Sequence, residues 1–159
     1  MSINQSILWQ VRHFVYNHFA DTTLPPSIED TAAYFNISNE QASAFYKKLH
    51  SRHALFLEPE TPAIRMANPF SGIPTDFKVN VNGKTYYANC AWDMFGIPAA
   101  LHSDAIIEAV CKESNEVVRL ELKNGSIVQA AVPGEDASSS LLVHFPLPFS
   151  HWYDDLVCT

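Results

Sequence analysis

The stretch FKVNVNGKTYYANCAWDMFGIPAAL, residues 77–101, decides the fold of the second half of this chain. Residues 77–81 alternate apolar and polar side chains, which is typical of a strand with one buried face. Asn82-Gly83 is a preferred dipeptide of tight hairpin turns, so residues 85–87 are predicted to return as the partner strand. Residues 92–101 are mostly apolar and predict a short helix directly after the hairpin.

More strands are predicted downstream of this helix. Residues 117–122 and 126–131 flank Lys123-Asn-Gly125, which indicates a second hairpin. The apolar segment 104–111 fits either a strand or a helix, and residues 141–145 predict a last strand. Together with the first hairpin, these elements predict a small mixed or antiparallel sheet with short helices.

The first third of the chain has a helical pattern. Apolar side chains recur at helical intervals over residues 4–20, which predicts an amphipathic helix. Ser27 followed by Asp30 is the signature of a capping box, so a second helix is expected to run to about Phe35. After a tight turn, residues 39–52 predict a third helix.

Two helices joined by a short turn over residues 28–52 are typical of a helix-turn-helix. Short strands at 54–57 and 63–66 would make it a winged variant. The net charge of −7 argues against a general nucleic-acid footprint, which needs a basic face. The third helix offers few phosphate-neutralising cations, namely Lys47, Lys48 and Arg52. The pattern therefore favours a packing module over a DNA-binding one.

The breaker-rich segment that starts at Asn68-Pro69 is the natural boundary between two regions. We predict a helical, helix-turn-helix-like region at 1–67 and an α+β domain at 68–159. The chain has no apolar run of membrane-spanning length and no signal peptide, which predicts a cytoplasmic protein without a membrane partner. Its three cysteines do not form a disulfide framework, and we expect them to be free thiols.

Cys90 and Asp93 carry the chemistry in the segment quoted above. If Cys90 opens the helix, residues three apart face one pocket. A helix start favours a thiolate, whereas apolar surroundings favour a protonated carboxyl group. The pair would then combine a soft nucleophile or metal ligand with a proton donor. The alternative is a buried structural cysteine beside a helix-capping aspartate.

The sequence Cys90-Ala-Trp-Asp93, followed by Phe95-x-x-Pro98-Ala-x-Leu101, resembles the organomercurial (alkylmercury) lyase family. The resemblance covers roughly residues 76–149 and continues through Ala109-Val-Cys111, residues 117–122, residues 130–133 and Val143-His144-Phe145. It implies that Cys90 binds mercury and that Asp93 relays the proton from the thiol to carbon. The products would be a hydrocarbon and Hg²⁺, which passes to small thiols or to a mercury-accepting protein. No organic cofactor is implied, since the chain has no Gly-rich phosphate loop.

The chain departs from the family pattern at the second active-site cysteine, which family members usually carry shortly before the His-Phe anchor. Ser139 or Ser140 stands there, and a hydroxyl cannot replace a thiolate as a soft ligand. Cys111 matches a family cysteine that looks structural. Cys158 is then the candidate second thiol and mercury ligand, unless an extension past Thr159 supplies one.

Four aromatic residues near the predicted site would line a hydrophobic pocket suited to an organic group, or would simply belong to the core. They are Trp92, Phe95, Trp152 and Tyr153. Two rivals to a lyase remain: a sensor or carrier that binds a soft metal or organometal without turnover, and a helix-turn-helix transcriptional regulator.

Overall fold

The computed structural model describes residues 5–112 and 114–131, together with Val143, Phe145 and Pro148. Within these residues the chain forms four helices and eight strands in the order ααα-βββββ-α-βββ. The strands form a three-stranded sheet and a five-stranded sheet, and every pairing described is antiparallel. The prediction of an α+β fold is confirmed.

Three helices open the described chain: α1 (Gln5–Thr22), α2 (Ile28–Phe35) and α3 (Asn39–His50). The predicted capping box at Ser27 is present, and Ser38 forms a second one with Gln41 at the start of α3. Each box satisfies N–H groups that a helix start leaves unpaired. The helix α3 ends two residues earlier than predicted.

A small sheet follows, built from β1 (Phe56–Leu57), β2 (Ile64–Ala67) and β3 (Phe70–Ser71) in that order. The strands β1 and β2 match the predicted pair, but β3 was not predicted. It pairs with β2 across a cis Asn68–Pro69 peptide bond, just beyond the predicted domain boundary. The two-domain division and the helix-turn-helix assignment stay predictions.

The larger sheet has the order β5-β4-β6-β7-β8. Its strands are β4 (Phe77–Val81), β5 (Lys84–Tyr87), β6 (Ala105–Val110), β7 (Val117–Lys123) and β8 (Ser126–Ala131). Both predicted hairpins form, and their Asn-Gly turns adopt the positive φ values that favour these residues. The segment that fitted either a strand or a helix is the central strand β6.

One core joins the two sheets and the first helix. The buried face of α1 presents Leu8, Val11, Val15 and Phe19, and the ring of Phe19 stacks on Phe70 of β3 at 5.3 Å. Tyr86 of β5 donates a hydrogen bond to the Ala20 carbonyl oxygen at 2.7 Å. The helix α1 therefore fixes the small sheet relative to the large one.

The fourth helix, α4 (Asp93–Leu101), directly follows the first hairpin and buries Met94 and Ile97 in the same core. The predicted last strand lies, except for Val143 and Phe145, outside the described residues. None of the helices in the described part of the chain combines the length and the apolar character that crossing a membrane requires.

Candidate active site

Cys90 lies in the turn between β5 and α4, and Asp93 is the first residue of α4. The helix therefore begins close to its predicted start at residue 92, and the residues between Cys90 and Asp93 form a separate turn. The Met94 N–H nevertheless donates to the Cys90 carbonyl oxygen at 3.2 Å, so the chain turns as a helix does. This turn brings the Cys90 thiol and the Asp93 carboxyl group close enough for each to affect the pKa of the other.

Burial sets the protonation of both groups. It raises the pKa of the Asp93 carboxyl above its ordinary value, while hydrogen bonds from Asn89 and Cys90 act in the opposite direction. Burial also raises the pKa of the Cys90 thiol, and the Asp93 charge adds to that rise. The backbone N–H groups of Asp93 and Trp92 lower it to a smaller extent. Desolvation therefore outweighs the effect of a helix start, which would favour the thiolate.

Asn89 connects this pair to the turn before β3. Its side-chain N–H₂ donates to Asp93 Oδ2 at 3.1 Å and to Asn68 Oδ1 at 3.0 Å. The same nitrogen also lies 3.2 Å from the carbonyl oxygen of Phe70 and 3.4 Å from that of Pro69. One amide thus ties the start of α4 to three successive residues of the cis-proline turn.

The first helix reaches the same turn from the other side. The Tyr16 hydroxyl donates to the Asn68 carbonyl oxygen at 2.9 Å and accepts a hydrogen bond from Arg12 at 3.2 Å. The Arg12 guanidinium also lies over the Tyr16 ring, 4.5 Å from its centroid. Burial raises the pKa of Tyr16, Arg12 lowers it, and the Asp93 charge raises it, so α1 lies within electrostatic reach of the site.

The helix α4 also packs tightly against the cis-proline turn. A Cβ atom added at Gly96 would lie 2.9 Å from Pro69 Cβ, closer than real Cβ atoms approach a neighbour. Glycine therefore permits this contact, which sets the distance between α4 and the turn.

The predicted aromatic lining is only partly described. Trp92 is 61% exposed, so it does not lie in a closed pocket, and its ring is 6.2 Å from that of Phe145. Phe95 is half-buried and packs against the core. Trp152 and Tyr153 lie outside the described residues.

Of the other two cysteines, Cys111 alone lies within the described residues. Cys111 is a half-buried cysteine that follows β6, and its role as a structural cysteine stays a prediction. Cys158, Ser139 and Ser140 lie outside the described residues. Across the described ranges, no three His, Cys, Asp or Glu side chains are grouped to hold a metal ion.

Sequence reasoning missed the polar residues that support the site, which are Asn89, Asn68, Tyr16 and Arg12. One signal was available, because Asn89 is an amide within an otherwise apolar segment next to Cys90. Its partners lie about twenty residues earlier in the chain, and no local pattern relates them to it.

A cavity of about 580 Å³ lies elsewhere, between α1 and α2. Its walls include Trp9, Phe14, Tyr34 and Phe35, and all of its lining residues belong to these two helices. It contains neither a thiol nor a carboxyl group. The candidate site is therefore defined by the chemistry of Cys90 and Asp93 and not by the volume of this cavity.

Comparison with known proteins places this geometry in context. A sequence model of the alkylmercury lyase family (MerB) matches residues 70–159, more than half of the chain. Among solved structures, the crystal structure of the mercury-bound form of MerB2 is similar, with a TM-score of 0.64 and 19% sequence identity. The match covers 81% of this chain and 61% of that one, so the chain spans about three fifths of its length. At this identity the structural likeness shows the fold alone. A search of curated protein sequences gave no match.

Proposed function

Because the chain belongs to the alkylmercury lyase family, we propose that it cleaves a carbon–mercury bond by protonolysis. The substrate is a small organomercurial compound, and the products are a hydrocarbon and thiol-bound Hg²⁺. Cys90 captures the mercury and Asp93 carries the proton. The observation that carries this proposal is that the half-buried Cys90 thiol and the Asp93 carboxyl group lie on one helix-like turn, where each affects the pKa of the other.

Mercury capture begins at Cys90 because a thiolate is the softest ligand a protein offers. The Cys90 thiol attacks the mercury of R–Hg–X, where X is a thiolate or another anion. A sulfur–mercury bond forms as the mercury–X bond breaks and X leaves as its anion. The thiol loses its proton in this step, since coordination to a metal strongly acidifies a thiol. The raised pKa of the thiol means that this proton is still on sulfur when the substrate arrives.

Asp93 is placed to accept that proton and to pass it to carbon. Its carboxyl group lies on the same turn as the thiol, and burial favours its protonated form. The proton then moves from Asp93 to the carbon of the carbon–mercury bond, whose electron pair forms the new carbon–hydrogen bond. Mercury stays on the Cys90 sulfur, and Asp93 returns to its carboxylate form.

Release of mercury requires a further thiol. Cys158 is the candidate within the chain, although it lies outside the described residues. Small thiols in solution, or a mercury-accepting protein, would complete the exchange. The reaction needs no organic cofactor, because the only groups exchanged are a proton and thiolate ligands.

The test is hydrocarbon release from phenylmercury or methylmercury with excess thiol, compared among the wild type, Cys90→Ser and Asp93→Asn. We expect catalytic release by the wild type and its loss in both variants. Cys111→Ser is the matched thiol control and should retain activity, because Cys111 is expected to be a structural cysteine and not a mercury ligand. Cys158→Ser measures the contribution of the second thiol.

Tight mercury binding by the wild type without hydrocarbon release would contradict the lyase proposal and favour the sensor or carrier. The regulator has less support in the structure. The turn between β1 and β2, which would form the wing, contains the acidic residues Glu58 and Glu60. Acidic side chains there would repel phosphate groups.

A further inference from the structure

Asn89 occupies an unusual position for an amide. It lies in a half-buried segment next to Cys90, and its side-chain N–H₂ is within 3.0 to 3.4 Å of four oxygen acceptors. Its own side-chain oxygen is buried and has no partner among the described residues. An unpaired buried acceptor lowers stability, so an apolar side chain would have suited the fold better. The presence of an amide at position 89 is therefore explained by the oxygen atoms to which it donates hydrogen bonds.

Three of the four acceptors anchor Asn89, and the fourth is the candidate proton carrier. Asn68 Oδ1 and the carbonyl oxygens of Pro69 and Phe70 belong to the cis-proline turn. That turn is itself fixed by the Tyr16 hydroxyl and by the close contact of Pro69 with Gly96. The amide is thus held on one side, and its remaining interaction is with Asp93 Oδ2 at 3.1 Å.

We propose that Asn89 is the positioning residue of Asp93: by holding one carboxyl oxygen, it keeps the group turned towards the Cys90 thiol. A carboxyl group on the first residue of a helix has free side-chain rotation unless something holds it. With one oxygen bound to an anchored amide, the other stays near the sulfur and near the carbon that receives the proton. Misplacement of a proton carrier by about 1 Å lowers the rate of transfer sharply.

This assignment rests on the proposed function for the reaction it serves, but the positioning itself can be measured without turnover. A double-mutant cycle between Asn89→Leu and Asp93→Asn separates positioning from a purely structural role. Leucine has nearly the shape of asparagine and no donor. If Asn89 acts through Asp93, its substitution matters only when Asp93 is present.

In hydrocarbon release, we expect Asn89→Leu to lower kcat about 10-fold with little change in KM, since a hydrogen bond to a charged group has about that effect. In the Asp93→Asn background, the same substitution should cause no further loss. Equal losses in the two backgrounds would overturn the proposal and leave Asn89 a structural residue. Asn80→Leu on β4, where Asn80 is exposed, is the matched control and should retain activity.

The second readout is the rate of Cys90 alkylation by iodoacetamide, followed by mass spectrometry of the Cys90 peptide. Loosening Asp93 removes its charge from beside the thiol, so Asn89→Leu should speed alkylation about 2- to 10-fold in the wild-type background only. If no variant releases hydrocarbon but this coupling persists, the lyase proposal fails and the positioning proposal stands. If hydrocarbon release occurs and the coupling is absent from both readouts, the positioning proposal fails alone.

Asn68→Leu is a second test, to be used if Asn89→Leu does not fold. Asn68 is exposed, and its side-chain oxygen accepts a hydrogen bond from Asn89. It should show the same dependence on Asp93 with a smaller amplitude. An effect of Asn68→Leu that is unchanged by Asp93→Asn would contradict the proposal.

Discussion

Two helices of this chain carry an aspartate in their first turn, and the two carboxyl groups behave in opposite ways. At the start of α2, Asp30 is exposed and accepts hydrogen bonds from the Ser27 backbone N–H and hydroxyl at 2.9 and 2.8 Å. These bonds hold the pKa of Asp30 below its ordinary value. At the start of α4, Asp93 is half-buried, and burial raises its pKa.

A helix start therefore does not by itself set the protonation state of an aspartate. Both groups lie at the positive end of a helix, where a carboxylate is favoured. Asp30 gains from that position because it is exposed and forms a capping box. The N-cap of α4 is Trp92, which offers no side-chain hydrogen bond, so α4 is uncapped and desolvation dominates at Asp93. Asp30 caps its helix, whereas the proposed function assigns Asp93 the role of proton carrier.

The largest expected difference between Asp93 and Asp30 is in their effect on hydrocarbon release. We expect Asp93→Asn to lower hydrocarbon release about 10²- to 10⁴-fold, the range that a positioned acid or base contributes. The same substitution at Asp30 should leave the rate unchanged, because Asp30 contacts only its own helix start. Steady-state rates with phenylmercury and excess thiol check both. Equal loss in the two variants would mean that Asp93 contributes through folding and not through chemistry.

The second prediction concerns stability and the contacts that fix α2 and α4. The capping box fixes α2, whereas the contact between Gly96 and Pro69 fixes α4. Gly96→Ala gains helix propensity but forces a methyl group to within 2.9 Å of Pro69 Cβ, and overpacking of this kind lowers stability by about 1–3 kcal/mol. Denaturant unfolding measures it. Ala100→Gly on the exposed side of α4 gives the propensity contribution alone, about 1 kcal/mol. A rise in stability on Gly96→Ala would show that the contact is not tight.

The two aspartates should also shift thermal stability in opposite directions. Asp30 has a lowered pKa in the folded state, so its stabilisation is present above the unfolded pKa of about 3.9 and is lost as pH falls through the folded value. Asp93 has a raised folded pKa, so the unfolded state loses its proton first. The contribution of Asp93 to the free energy of unfolding therefore falls as the pH rises from about 3.9, its pKa in the unfolded state, to its raised pKa in the folded state.

At pH 7 we therefore expect Asp93→Asn to raise Tm and Asp30→Asn to lower it. The neutral amide removes the cost of a buried charge at position 93 and removes a cap at position 30. Calorimetry at pH 7 and near pH 3 checks both signs, and both differences should shrink at the lower pH. A fall in Tm for Asp93→Asn at pH 7 would mean that its carboxylate is stabilised by the fold.

These contrasts also show how much the sequence could predict. The capping box at Ser27 and the Asn-Gly hairpin turns were predicted because their signals lie within four residues. The proximity of Cys90 and Asp93 along the chain could be seen for the same reason, whereas their joint role stays a prediction. The strand β3 and the bonds from Asn89 to the cis-proline turn were missed, since they join segments about twenty residues apart. The rise in the pKa of the Cys90 thiol could not be read from the sequence, because burial is a property of the whole fold.

The smallest expected effect is a difference between two tyrosines. The hydroxyl groups of Tyr46 and Tyr16 bond to the segments that hold the starts of α2 and α4. The Tyr46 hydroxyl is fully buried, bonds to the Thr31 hydroxyl at 2.5 Å and reaches the carbonyl oxygen of Pro26 at 3.2 Å, just before α2. Burial raises the pKa of Tyr46 to about 12. The Tyr16 hydroxyl bonds to Asn68, at the turn that holds the start of α4.

Tyr46→Phe should lower stability by about 1–3 kcal/mol, because it leaves the buried Thr31 hydroxyl without its partner. Tyr16→Phe should lower it by only about 0.5–1.5 kcal/mol, since its hydroxyl is less enclosed. The effects on hydrocarbon release should be reversed: a loss of a few-fold for Tyr16→Phe, which loosens the anchor of Asn89, and none for Tyr46→Phe. If both substitutions changed stability without changing hydrocarbon release, Tyr16 would not help to position Asp93. The helix α1 would then contribute to the stability of the core and not to activity.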